Sequence, residues 1–131
     1  MKLKFIKAEE TERNAKATVH TTGKLGFSRD AIDYFGITET TAIQFAQNTE
    51  DESDKNLYAK IYGSPQEGAF KIYKAGEYFY ANTKNMFDAL DIDYKNTKII
   101  FDLVKGEYEG EQIIKMLRRD IPKKKKGMPT Q

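Results

Sequence analysis

At 131 residues the chain has room for one domain, or for two small halves sharing a core, and without cysteine it excludes disulfides and thiolate metal sites. Its hydrophobic fraction is 39%, its charged fraction 32% and its net charge only +2. The core must therefore draw on eight Phe and eight Tyr, and the whole chain lacks the strong positive charge of a tight duplex binder. No run approaches the ~18 apolar residues of a membrane-spanning helix, and MKLKFIKAEE carries no apolar signal segment, so a cytoplasmic protein is expected.

Residues 2–7, KLKFIK, alternate basic and apolar and predict an opening edge strand guarded by lysines. ETERNAK (10–16) reads as a polar connection. ATVHTT (17–22) predicts a strand, joined as a hairpin to 24–27 around Thr22-Gly23. Leu25 and Phe27 alternate with Lys24 and Gly26. Ser28 then stands where a helix N-cap is wanted, and Asp30 falls in the first turn. Ala31, Ile32 and Phe35 share one face of a short helix that Gly36 ends. Ile43 and Phe45 return to strand alternation.

NTEDESDKN (48–56) has no apolar residue and lacks the central Gly and terminal Glu of a calcium-binding loop, so a solvated loop is expected. LYAKIY (57–62) predicts another strand, and GSPQEG (63–68) a seam between two halves. Phe70 to Tyr80 predicts a second hairpin turning at Ala75-Gly76 and holding Phe70, Tyr73, Tyr78, Phe79 and Tyr80. Such rings either pack a core and its margins or stack unpaired bases, with Lys71 and Lys74 tracking phosphates.

Asn82, Thr83 and Asn85 bracket the start of a second helix with Met86, Phe87 and Leu90 on its apolar face. Ile32, Phe35, Phe87 and Leu90 are expected to be buried where the helices close over a sheet. Asp91 and Asp93 read as turn residues, not metal ligands. Lys98 to Val104 predicts a strand and KGEYEGE (105–111) its turn. Gln112 to Arg119 fits a closing strand and, through Ile113, Ile114 and Leu117, equally a helix. Beyond it, residues 120–131 read as a flexible basic tail, either solubilising or binding a polyanion by counterion release.

The chain contains an internal likeness. Gly23 matches Gly76 at an offset of 53, Asp33 and Ile37 match Asp88 and Ile92 at 55, and Thr41, Ile43 and Phe45 match Thr97, Ile99 and Phe101 at 56. Leu57 and Ile61 match Ile113 and Leu117 at 56. A drifting offset is the mark of a diverged duplication. The expected architecture is α+β: two similar halves, each a hairpin, a short helix and two strands, about a pseudo-two-fold axis. Their bounds are 1–64 and 65–119.

The run G-K-L-x-F-S-x-x-A-I-x-x-F-G-I followed by T-A-I-x-F resembles the AbrB/MazE swapped-hairpin DNA-binding domain. Gly23, Lys24, Leu25, Phe27, Ile32, Phe35, Gly36 and Ile37 sit at matching places. Two copies in one chain are similar to the arrangement of MraZ proteins. The resemblance covers residues 16–62 well and 70–119 weakly. It departs from the family where a proline before the helix is Ser28, or Ala81 in the second copy, where the arginine-rich start is reduced to Lys16, His20, Lys24 and Arg29, and where Glu77 replaces Lys24. A fold survives such changes more easily than its DNA contacts do.

Chemistry finds no foothold. The single histidine has no cysteine or serine-elbow partner, and no phosphate-binding glycine loop occurs, so neither an enzyme nor a metal or other cofactor is expected. The expected function is nucleic-acid binding with weak sequence preference, as a regulator or as a Whirly-like single-strand binder, with DNA a more natural partner than RNA. The residues that carry it are Lys16, Lys24 and Arg29, then Arg118, Arg119, Lys123, Lys124, Lys125 and Lys126, where basic residues gather without matching acids in sequence. A structural or protein-interaction module on the same fold is the alternative, and a small-ligand binder a third reading. No membrane partner is expected, and self-association stays open.

Overall fold

The computed structural model describes residues 1–5 and 15–123. The elements are β1 (Lys16–Val19), β2 (Leu25–Phe27), α1 (Arg29–Phe35), β3 (Ala42–Ala46), β4 (Leu57–Tyr62), β5 (Phe70–Ala75), β6 (Tyr78–Ala81), α2 (Lys84–Ala89), β7 (Thr97–Tyr108) and β8 (Glu111–Pro122). The strands close into a barrel in the order β1-β2-β6-β5-β3-β4-β8-β7, with β7 returning to β1. Every neighbouring pair is antiparallel. Among the described residues the fold is thus mainly antiparallel β with two short helices, an α+β architecture. Closure gives each strand a partner on both sides, which removes the open edges on which sheets aggregate.

The two helices arise from local chemistry. Ser28 Oγ accepts from the Ala31 N–H at 3.2 Å and also from the Lys16 N–H at 2.9 Å, so the cap of α1 fastens the start of β1. Gly36 then adopts a left-handed φ of 64°, and the Ile37 N–H returns to the Ile32 carbonyl. In α2 the same device uses Asp91 at φ 54°, and the Ile92 N–H returns to the Phe87 carbonyl. Thr83 stands where Ser28 stands, two residues beyond Ala81, because one more residue separates β6 from α2 than separates β2 from α1.

Inward-facing residues fill the barrel. Leu25, Ile43, Ile72, Ile99, Phe101 and Met116 are among the side chains closed off from solvent, and Ile32 and Phe87 add the buried face of each helix. Phe35 and Leu90 are only half-buried, resting against the core from the helix ends. Helices of two turns bring a central residue over the sheet, while the next apolar position overhangs its rim.

Several expectations need correction. Residues 2–5 form no strand, and Leu3 and Phe5 are exposed; residues 6–14, including most of the expected polar connection, lie outside the described residues. Residues 112–119 are strand, not helix, because they belong to a ladder of twelve pairs with β7 that runs from Tyr108↔Glu111 to Thr97↔Pro122. That ladder carries β8 past residue 120, where the sequence suggests a flexible tail. Pro122 sits at its end, where a missing N–H costs no interior ladder bond. Lys123 is tied down beyond it, its Nζ donating to the Tyr94 and Lys95 carbonyls at 3.1 Å each.

Candidate nucleic-acid interface

Alternation sends the even-numbered residues of β1 and β2 outward, and the same outer wall continues over β6 and β5. Tyr73, Tyr80, Gly26 and Thr18 stand in register across four neighbouring strands, and Ile100 and Arg119 extend the row over β7 and β8. Their chain neighbours Ile72, Ala81, Leu25, Phe27, Ala17 and Val19 are buried, which fixes the direction of the row.

The rings on this wall form a ladder. Tyr73 stacks on Tyr80 with centroids 5.7 Å apart and planes 22° apart, and Tyr80 on Tyr78 at 5.7 Å and 21°. The first pair is cross-strand, and the second lies two residues apart along β6, on the same face. His20 meets Tyr78 edge-on at 5.6 Å and shares a hydrogen bond with its hydroxyl. Gly26 makes this meeting possible: a Cβ there would overlap the Tyr78 hydroxyl and sit 2.7 Å from His20 Nε2. Burial, then Tyr80, pushes the Tyr78 phenol above its ordinary pKa, so the hydroxyl keeps its proton through the neutral range.

Two cations border the ladder. Lys24 Nζ lies 4.7 Å above the Tyr80 ring, and Lys71 Nζ 5.2 Å from the Tyr73 centroid. Neither forms an ion pair among the described residues. Lys74 is paired with Glu39 at 3.7 Å, and its Nζ lies 5.7 Å from the Phe79 ring.

The expected basic residues divide into those this wall collects and those it does not. Lys16 opens β1 opposite Asp102, and Lys24 opens the way into β2. Arg29 begins α1 and pairs with Asp33 at 3.5 Å, both exposed. Arg119 lies on the wall two strands from β1, but Asp102 holds its guanidinium in two hydrogen bonds of 2.6 and 3.1 Å. That contact raises the Arg119 pKa further. Arg118 is likewise held by Asp120 at 2.7 and 3.0 Å. The basic residues without matching acids in sequence thus have acids in space in three of these cases, Arg29, Arg118 and Arg119. Lys124, Lys125 and Lys126 lie outside the described residues.

Sequence reasoning noticed the tyrosines with Lys71, and His20 with Lys24, but did not bring the two groups onto one wall. The signal was present: once 25 and 27 are inward, 20, 24 and 26 share the opposite face across a hairpin. Among the described residues no group of three or more His, Asp or Glu is placed to hold a metal ion. Among the described residues no helix is long and apolar enough to cross a membrane. Comparison with protein families, with characterised proteins and with solved structures gives no match for this chain.

Proposed function

We propose that the protein is a non-catalytic binder of single-stranded nucleic acid, DNA before RNA, with weak sequence preference, acting through the outer wall of β1, β2, β6 and β5. The observation that carries this reading is the Tyr73–Tyr80–Tyr78 ladder bordered by Lys24 and Lys71. A ladder of near-parallel rings offers its end faces to bases, which extend the stack, and its hydroxyls and edges to sugar and phosphate. Stacking contributes about 1–3 kcal/mol per base and tolerates any sequence, and unpaired lysines supply phosphate contacts. Lys16 extends the phosphate track, while Arg29, Arg118, Arg119 and Lys123 contribute only after giving up partners they already hold.

The scaffold we propose is a duplicated swapped hairpin of the AbrB/MazE kind. Exchanging β1 with β5, β2 with β6, β3 with β7 and β4 with β8 leaves the list of strand neighbours unchanged, which supports it. The second hairpin of each half borders the first hairpin of the other, β3 on β5 and β7 on β1. The helix bonds repeat at one offset: Ser28, Ile32, Gly36 and Ile37 do in α1 what Thr83, Phe87, Asp91 and Ile92 do in α2 (87 − 32 = 55). The halves part at their third strands. Ile43 pairs at the beginning of β5, whereas Ile99 pairs at the end of β1.

Fluorescence anisotropy at two salt concentrations tests the reading with a thymidine strand, a duplex and an RNA strand. Binding should be tightest for the single strands, weaken with salt, and weaken further in Tyr73→Ala. No anisotropy change on any probe at low salt, where charge attraction is strongest, would sink it and leave the protein-interaction module in its place.

A further inference from the structure

Beside the tyrosine ladder, past Tyr78, an open groove runs between the start of α1 and the β5–β6 turn. It is lined by Phe27, Arg29, Ile32, Ala75, Glu77 and Tyr78. Phe27 and Ile32 are buried members of the core, so the floor is apolar, and Tyr78 forms an aromatic wall. The two charges at its rim differ in kind. Arg29 has an exposed ion pair with Asp33, whereas Glu77 makes no ion pair among the described residues. An apolar floor, a ring wall, a cation and an uncommitted carboxylate at the end of a stacking ladder are the parts of a base-reading pocket.

We propose that this groove takes one unstacked base from the bound strand and that Glu77 makes it prefer guanine. The inference rests on the single-strand reading above and names a specificity-determining residue within it. A carboxylate only accepts hydrogen bonds. The Watson–Crick edge of guanine presents two neighbouring donors, N1–H and the N2 amino group, which match the two carboxylate oxygens. Adenine and cytosine offer one amino donor beside a ring nitrogen that repels the carboxylate. Thymine and uracil offer one N–H between two repelling carbonyls. Arg29, on the same rim, is placed for the phosphate that follows the base. The occupant is a nucleotide and not a peptide segment because the groove continues the ladder through the shared Tyr78.

The test compares a short labelled all-thymidine strand with the same strand carrying one central guanosine, by anisotropy at low salt. The guanosine should tighten binding by roughly fivefold or more, the low end of what a bidentate base contact discriminates. Glu77→Gln should abolish that gain while binding the all-thymidine strand as well as, or better than, the unaltered protein. Glu77 is exposed in a hairpin turn, and circular dichroism of the variant checks that it folds. If the unaltered protein binds both strands equally, or if Glu77→Gln keeps the guanine preference, the groove does not read guanine through Glu77 and the single-strand reading stands alone. If neither strand binds, both readings fall.

Discussion

Thr83 Oγ1 donates a buried hydrogen bond of 2.9 Å to the backbone carbonyl of Gly23, sixty residues away and in the other half of the chain. A threonine at this position ordinarily caps its own helix, yet α2 has no side-chain cap. The hydroxyl is spent instead on the β1–β2 turn. Gly23 accommodates the contact in two ways. Its φ is +86°, and a Cβ there would come within 2.8 Å of the Lys84 Cα.

Thr83→Ala should therefore destabilise by about 1–3 kcal/mol, since it strands a buried carbonyl. Thr83→Ser should recover most of the loss. Gly23→Ala should cost more than Thr83→Ala, because backbone rather than a flexible side chain must move. Urea unfolding of the three variants ranks them.

Phe87→Ala should cost about 3–5 kcal/mol through transfer and cavity. Phe87 is fully buried and stacks on Phe101 at 6.4 Å. Phe35→Ala and Leu90→Ala should cost visibly less, because both side chains are half in solvent. Equal losses across the three would mean that the helix ends sit deeper than described.

Acid stability should depend on Asp88. Its carboxylate accepts from Lys84 at 2.7 Å and from the Tyr94 hydroxyl at 2.6 Å, and these bonds hold its pKa below the ordinary carboxylate value. Tyr94 is buried by its ring while its hydroxyl reaches this surface group. A depressed folded-state pKa gives stability that is present above the unfolded pKa and lost as pH falls through the folded one. Asp88→Asn should lower the Tm at neutral pH. The gap from the unaltered protein should start to narrow as pH falls past the ordinary value of 3.8 and close only below the lowered folded-state pKa. The neutral-pH effect should be small, because Lys84 and Asp88 are both half exposed.

Lys24→Ala should weaken binding of every single-stranded probe and flatten the salt dependence by about 0.7 log units per tenfold salt, one phosphate contact's worth. Arg119→Ala should change affinity less, because Asp102 already neutralises that guanidinium. A larger effect from Arg119 than from Lys24 would move the interface to β7 and β8. Titration at several salt concentrations separates the two.

Most strands from Lys16 onward were legible because alternation is a local signal, and α1 because the Ser28 cap and the Gly36 stop are local too; the strand expected at residues 2–7 is absent from 2–5, and β7 runs on through Tyr108, where a turn is expected. The offset of 55 between Ile37 and Ile92 was also legible, and it recurs in the helix bonds. What was not legible is non-local. Nothing near Gln112–Arg119 decides between strand and helix; the ladder with β7 decides it. The ion pairs of Arg119 with Asp102 and Arg118 with Asp120 depend on cross-strand and same-strand neighbours whose faces only the register fixes. The tyrosines were visible as a cluster, but that three of them stack with Lys24 over the middle ring required knowing that β2 lies beside β6.

One seam of the barrel joins strands far apart in the polypeptide, β1 and β7: Lys16 pairs opposite Asp102, 86 positions downstream (102 − 16 = 86). During synthesis β1 can meet β2 almost at once, but its other side stays unsatisfied until β7 has left the ribosome. The nascent chain thus carries a bare hydrogen-bonding edge until β7 is made, and closure of the barrel waits on that distant contact. A ribosome stalled just before residue 97 should hold a protease-sensitive chain, and one released past residue 122 a resistant one.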